Sequence, residues 1–396
     1  MELFFTYIAL MTSFATNIIF KEKINQETNI EIDHIHLYVK DTVYWTEWFI
    51  NVMGFCSIAG GSNEHTKTEI VKTGDEENPI IFVISSPLSS QSPVAKYLDI
   101  HPPGVADVAF KVNNLQKVIT KYNRFNQGIK GTIEEIKYAQ GCLKWSHISC
   151  QSKLNHTLFE RRGYTPILPK TWLKERQVNR ANKNNFLALD HLVLNVAKGE
   201  IESTMTWYEK VLGFKKKQFF KIETPRSGLS SQVMFHPVGN IQLPINEPIS
   251  NNSQIQEFLD ANNGSGIQHI ALRTNKITEV TQQLRQNGLT FLSIPNTYYE
   301  ELSKINLYFK FTPEEWQTIV KENILLDREE INEEGLWKEN HPLLLQIFTQ
   351  PIFEQPTFFF EIIERRRQAR GFGEGNFRAL FEAIEREQRK RGTLIN

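Results

Sequence analysis

Polar and apolar residues alternate over two short stretches that read almost alike. Asp33-His34-Ile35-His36-Leu37-Tyr38-Val39 and Asp190-His191-Leu192-Val193-Leu194-Asn195-Val196 share the period of two that puts alternate side chains on opposite faces of a strand. An amphipathic helix is predicted after each. Trp45, Trp48, Phe49 and Val52 form the apolar stripe of the first, and Met205, Tyr208, Val211 and Leu212 that of the second. Glycine stops both, in Met53-Gly54-Phe55 and Leu212-Gly213-Phe214.

The correspondence continues downstream. Gly104-Val105-Ala106-Asp107-Val108-Ala109-Phe110 aligns with Gly266-Ile267-Gln268-His269-Ile270-Ala271-Leu272, and a helix is predicted after each, over 112–122 and 277–287. His156-Thr157-Leu158-Phe159-Glu160 then aligns with Thr357-Phe358-Phe359-Phe360-Glu361. Two βαβββ modules follow from this repeat, an α+β chain whose sheets curl as half-barrels around clefts lined by alternate strand residues. The pattern divides the 396 residues into an extension over 1–29, expected to be poorly ordered, and a first module over 30–165. A polar linker over 166–185 carries Pro166, Pro169 and several asparagines, and the second module spans 186–396. A closing helix is predicted from the i, i+3, i+4, i+7 spacing of Phe377, Leu380, Phe381 and Ile384, with Asn376 as its N-cap.

Composition narrows the function classes. Lys plus Arg and Asp plus Glu number 45 each, so no net charge draws the chain to nucleic acid or anionic lipid. The charged runs at 364–367 and 386–391 read as solvated faces. Cys56, Cys142 and Cys150 have no CxxC spacing and an odd count, which fits thiols in a reducing compartment. The apolar stretch Leu3 to Phe20 is broken by Thr6, Thr12, Ser13, Thr16 and Asn17 and has no basic residue before it, unlike a signal peptide or a membrane span. A cytoplasmic chain without membrane or nucleic-acid partners is expected. Gly371, Gly373 and Gly375 lack the βαβ setting of a dinucleotide loop.

Three aligned strand positions carry chemistry. In the second module they are His191, His269 and Glu361. Two imidazoles and a carboxylate are the facial triad of non-haem Fe(II), which leaves three coordination positions open. A single strand histidine is more often a hydrogen-bonded core or edge residue; equivalence across the repeat sets these two apart. In the first module the alignment places His34, Asp107 and Glu160, read as a degenerate copy that has lost the iron site. His36, His65, His101, His147, His156, His236 and His341 have no such pattern. One Fe(II) per subunit is expected.

A set of segments lies in order across about residues 186 to 391. They include Leu189-Asp190-His191-Leu192, Leu243-Pro244-Ile245-Asn246-Glu247-Pro248, Ser253-Gln254-Ile255, Gly266-Ile267-Gln268-His269 and Pro295-Asn296-Thr297-Tyr298-Tyr299. Leu344-Leu345-Gln346-Ile347-Phe348-Thr349, Phe360-Glu361-Ile362-Ile363 and Gly371-Phe372-Gly373-Glu374-Gly375-Asn376-Phe377 complete it. On these segments the chain resembles the 4-hydroxyphenylpyruvate dioxygenase family of the vicinal-oxygen-chelate superfamily. Its first half resembles that family's degenerate half more loosely.

The resemblance implies Fe(II)- and O2-dependent oxidative decarboxylation of 4-hydroxyphenylpyruvate, with ring hydroxylation and side-chain migration, giving homogentisate and CO2. It also implies a homo-oligomer, dimer or tetramer. It assigns catalytic hydrogen-bonding roles to Ser231, Asn246, Gln268 and Gln346, with Gln346 close to the iron. Substrate-binding roles go to Gln254, Pro244, Phe348, Phe359, Phe372, Asn376 and Phe377, with Phe372 and Asn376 where the C-terminal helix gates the site. Two departures stand out. Many family members have Gln where Glu364 stands, and here 365–370 bridges directly to the Gly-Phe-Gly segment. The alternatives are 4-hydroxymandelate synthase, another dioxygenase or isomerase of this fold, and a protein that only binds an aromatic ligand. Pro244, Asn246 and Phe359 match the homogentisate-forming pattern.

Overall fold

The computed structural model describes residues 28–74, 78–126, 130–150, 154–172, 176–177, 185–224, 227–239, 241–304, 311–328 and 342–393. The extension expected over 1–29 lies outside the described residues except for its last two, as does much of the linker expected over 166–185. Among the described residues no helix is long and apolar enough to cross a membrane.

The fold is α+β, with two repeated modules of sheet and helix. The first sheet comprises β1 (Ile30–Tyr38), β2 (Cys56–Ser62), β3 (Thr66–Thr73), β4 (Ile80–Pro87), β5 (Gly104–Val112), β6 (Glu134–Tyr138), β7 (Gly141–Ser149), β8 (Asn155–Gly163) and β9 (Arg176–Gln177). Its order is β6-β7-β8-β5-β1-β4-β3-β2-β9. The second comprises β10 (Ala188–Asn195), β11 (Lys215–Glu223), β12 (Gly228–Phe235), β13 (Gln242–Pro248), β14 (Gly266–Thr274), β15 (Leu325–Arg328), β16 (Leu343–Phe348) and β17 (Phe359–Arg366). It curls into a half-barrel with the order β11-β12-β13-β10-β14-β17-β16-β15.

Both predicted first helices form. One spans Thr42–Asn51, and the other runs Ile201–Trp207 before widening into a π turn over Tyr208–Leu212. The glycine stops hold, with φ of 78° at Gly54 and 82° at Gly213, a region costly for any residue with a Cβ. The helix predicted over 112–122 begins later. Val112 still belongs to β5, and Leu115–Phe125 is capped by Asn114, whose Oδ1 accepts from Lys117 N at 2.9 Å. Its counterpart spans Ile277–Gln286, close to expectation.

The repeat extends to its irregularities. β1 pairs antiparallel with β5 and β10 with β14, and each pair breaks register twice at matching places. Strand register corrects one alignment. Leu158 pairs with Phe110, and Ile362 with Leu272. Since Phe110 and Leu272 are equivalent, Thr157, not Glu160, is the counterpart of Glu361. Glu160 corresponds instead to Glu364. Both cap the helix of their module: Glu160 Oε2 accepts from Leu115 N at 2.9 Å and Glu364 Oε2 from Ile277 N at 2.8 Å. Each also pairs with the arginine two residues on, Arg162 and Arg366.

The modules share one apolar core. Phe360 packs into the first module, 6.1 Å from Phe49 and 5.9 Å from Phe82 between ring centroids, and Trp45 meets Phe353 at 4.6 Å. A buried polar contact joins the halves as well, His156 Nε2 to Tyr208 OH at 2.9 Å. Truncating a fully buried phenylalanine removes its burial and leaves a cavity. Phe360→Ala should therefore destabilise the protein by about 3–5 kcal/mol, measured as a lower midpoint of chemical denaturation.

Candidate metal centre

The centre is built on three adjacent strands. β10, β14 and β17 lie side by side, so alternate residues of each project into the same concave face. His191 pairs with Ala271, and Ala271 with Glu361, so one cross-strand row carries a ligand at each end and a methyl group between. His269 stands two residues from Ala271 on the same face, opposite Val193 and Phe359. Two bulges adjust the row. The register skips Asp190 in β10, and it skips Gln268 in β14. The second skip lets adjacent residues, Gln268 and His269, both line the cavity, which strict alternation forbids.

The three side chains converge. His191 Nε2 lies 3.1 Å from Glu361 Oε2, and His269 Nε2 lies 3.6 Å from the same oxygen. All three residues are buried, and one donor atom from each falls within a 4.8 Å set. Among the described residues this is the only such group of His, Cys, Asp or Glu.

The electrostatics ask for a cation. Burial alone would lower the pKa of His191, but the Glu361 carboxylate and Asp190 outweigh it and push it up to about 9. His269 is held well below its ordinary value by burial and by the charge of His191, so its imidazole is neutral and ready to ligate. The residues therefore fit one Fe(II): two imidazole nitrogens, one carboxylate oxygen, and a buried negative charge that a proton otherwise balances.

A mainly apolar cavity opens beside the triad. Ser231, Pro244, Asn246, Gln254 and Gln268 line one part of its wall. Gln346, Phe348, Phe359, Phe372 and Phe377 line another, so ten predicted residues meet the triad here. The Phe359 ring stacks on His269 at 4.7 Å, and Phe372 meets His191 edge-on at 5.5 Å. Gln346 Nε2 donates to Glu361 Oε1 at 2.9 Å and to Phe372 O at 3.1 Å, joining a ligand to the segment that covers the pocket. Asn246 Nδ2 donates to Asn195 Oδ1 at 3.2 Å. Gln254 Oε1 is buried with no protein partner, which leaves an acceptor for a ligand.

Asn376 differs from expectation twice. It is not the N-cap, because the closing helix runs Glu374–Arg391 with Gly373 in the cap position at φ 80°. Nor does it line the cavity. Its Nδ2 donates to Gln346 Oε1 at 2.9 Å, and its Oδ1 accepts from Tyr298 OH at 2.8 Å, so it acts behind Gln346. Gly373 is needed here because a Cβ would collide with the Gln346 amide. Several cavity residues escaped the sequence reading of the site. Phe220, Ile222 and Leu229 come from the β11–β12 hairpin, where period-two alternation was the available signal. Leu380, Phe381 and Ile384, read only as a helix stripe, face the same cavity.

In the first module, the equivalent positions hold His34, Asp107 and Thr157. Asp107 Oδ1 accepts from Thr157 N at 2.9 Å and Oδ2 accepts from its hydroxyl. Thr157 Oγ1 also meets His147 Nδ1 at 2.9 Å, and Trp172 stacks on His147 at 5.2 Å.

The paired modules and the buried His–His–Glu centre form a metal-binding triad consistent with an oxidoreductase of the non-haem Fe(II) type. The family described as the glyoxalase/bleomycin resistance protein/dioxygenase superfamily matches residues 188–314. A 4-hydroxyphenylpyruvate dioxygenase of Yarrowia lipolytica is 36% identical, over 91% of this chain and 93% of its own. That of Coccidioides posadasii is 34% identical, over 92% and 94%. A mutant 4-hydroxymandelate synthase from Streptomyces coelicolor superposes with a TM-score of 0.74 at 25% identity, covering 91% of this chain and 99% of that one. The chain belongs to the vicinal-oxygen-chelate superfamily, among the dioxygenases related to both 4-hydroxyphenylpyruvate dioxygenase and 4-hydroxymandelate synthase.

His191→Ala, His269→Ala and Glu361→Ala should each lose Fe(II) on desalting, read by metal analysis, whereas His34→Ala and Glu160→Ala should retain it. A pH dependence follows from His191. Below about pH 9 the empty site carries a proton there that an entering metal must displace. Apparent Co(II) affinity should thus rise about ten-fold per pH unit between roughly pH 6.5 and 8.5. Titration of the apoprotein across that window checks the slope.

Proposed function

We propose that the protein is a 4-hydroxyphenylpyruvate dioxygenase, converting 4-hydroxyphenylpyruvate and O2 to homogentisate and CO2. The observation that carries this reading is the wall around the triad. It is aromatic and amide-rich, and the triad's own side chains are the ionisable groups among its lining residues. Such a wall suits a planar phenol at one end and a 2-oxo acid at the other. With Fe(II) bound, the centre gains a Lewis acid with open positions for the keto and carboxylate oxygens of a 2-oxo acid, and the redox chemistry that dioxygen requires.

The chain's own residues do the rest. Phe348 and Phe359 hold the substrate ring by stacking, and Phe372 and Phe377 close over it and keep water out. Ser231, Asn246 and Gln254 receive the phenol by hydrogen bonds, without adding charge near the metal. Gln268 orients the oxo-acid end. Gln346 fixes Glu361 through its 2.9 Å hydrogen bond, which holds one carboxylate oxygen for the metal. Pro244 stiffens β13 where it faces the ring.

4-Hydroxymandelate synthesis from the same substrate is the second reading, favoured by the TM-score of 0.74 to the synthase. Pro244, Asn246 and Phe359, which match the homogentisate-forming pattern of the resemblance, line the cavity and support the first reading. Oligomerisation and a cytoplasmic setting belong to the same proposal.

Anaerobic loading with Fe(II), followed by substrate and oxygen, should yield homogentisate with stoichiometric CO2 by chromatography. 4-Hydroxymandelate as the product would overturn the proposal and leave the metal centre standing. Gln268→Ala should keep its iron and lose catalytic efficiency by roughly 10- to 100-fold, the range for removing a charge-adjacent hydrogen bond.

A further inference from the structure

Arg365 lies directly behind the site. Its side chain is only 11% exposed, and it divides its donors between two structures. Nε donates to Asp190 Oδ2 at 2.7 Å and Nη2 to Asp190 Oδ1 at 2.7 Å. Asp190 in turn holds Nδ1 of the ligand His191 at 2.9 Å. From its other edge, Nη1 donates to Ala369 O at 3.1 Å and Gly371 O at 2.7 Å. Those two carbonyls root the turn that delivers Phe372 over His191 and the Phe372 carbonyl to Gln346.

We propose that Arg365 is a positioning residue that couples the turn at 369–373 to the metal ligand His191 through Asp190. A guanidinium suits the task because its planar fork can grip a carboxylate with two donors and still present a third to carbonyls; a lysine cannot. Asp190 fixes the tautomer and ring plane of His191, as carboxylates behind metal-bound imidazoles do. The turn and the ligand are then held by one rigid group, so ordering one orders the other.

The first module supplies a built-in control. Arg161 grips Asp33 in the same way, Nε to Oδ2 and Nη2 to Oδ1 both at 2.8 Å, and Asp33 holds His34 Nδ1 at 2.8 Å. Arg161 also donates to the carbonyls of Pro166 and Ile167. There the clamp sits behind a row of His34, Asp107 and Thr157 that lacks the triad. It therefore reports what the clamp contributes to folding alone.

The inference rests on the metal centre and not on the choice of substrate, so its test uses the metal alone. Full-length wild type, Arg365→Lys and Arg161→Lys are compared for Co(II) affinity by absorbance titration. Hydrogen exchange at amides 371–373 is measured with and without Co(II). Both variants should lose thermal stability. Arg365→Lys should also bind Co(II) about ten-fold more weakly, at the lower end for outer-sphere partners of a metal. It should lose the slowing of exchange that Co(II) confers on 371–373 in the wild type, whereas Arg161→Lys keeps both. Either readout unchanged in Arg365→Lys, or the same losses in Arg161→Lys, overturns the proposal. If Arg365→Lys does not fold, Asp190→Asn, which preserves side-chain size, is read against the same outcomes. A wild type that binds no Co(II) overturns the metal centre and the proposal with it.

Discussion

Neighbouring strands in a sheet stand about 4.8 Å apart, and the metal centre depends on that spacing. Three ligands drawn from three consecutive strands arrive on one face at a separation that side chains of imidazole and carboxylate length can close over a single ion. Ala271 keeps the middle of the row low, so His191 and Glu361 can lean toward each other above it. Loops could supply the same residues, but not the same fixed distances. The curl of the sheet then turns a flat row into the floor of a pocket, and the closing helix becomes its roof.

The first module shows what the same frame does without a metal to hold. Its hydrogen bonds run inward, from Thr157 to Asp107 and to His147, and Trp172 lies over them. Groups that would be costly if left unpaired in a buried face satisfy one another. The second module keeps its polar groups aimed at a cavity and leaves Gln254 Oε1 without a protein partner. The row of one copy is paired within the module, whereas the row of the other faces a cavity.

Much of this was legible along the chain. The repeat, both first helices, their glycine stops and the His191–His269–Glu361 set stand in the sequence because each is a local pattern or a pair of matching patterns. The misplacement of Glu160 has a specific cause. Thr157 to Phe159 and Phe358 to Phe360 are buried on both faces, so no polar–apolar alternation marks their register, and residue type alone aligns Glu160 with Glu361. Only cross-strand pairing separates them. The cap expected at Asn376 does not form because capping is a local role, whereas the partners of Asn376, Gln346 and Tyr298, are remote in sequence. The bulge at Gln268 was equally hidden, since no residue type announces it.

The strand that carries Glu361 has a further consequence. Phe359 and Glu361 face the cavity, and Phe360 between them is buried against Phe49 and Phe82 of the other module. Sliding this strand by one residue would exchange the two faces, driving a carboxylate into the shared core and a phenyl ring onto the ion. Insertion or deletion of a single residue in the segment would therefore exchange its faces unless a bulge absorbed it. A change of length is accommodated at less cost in the connections around the strand than within it.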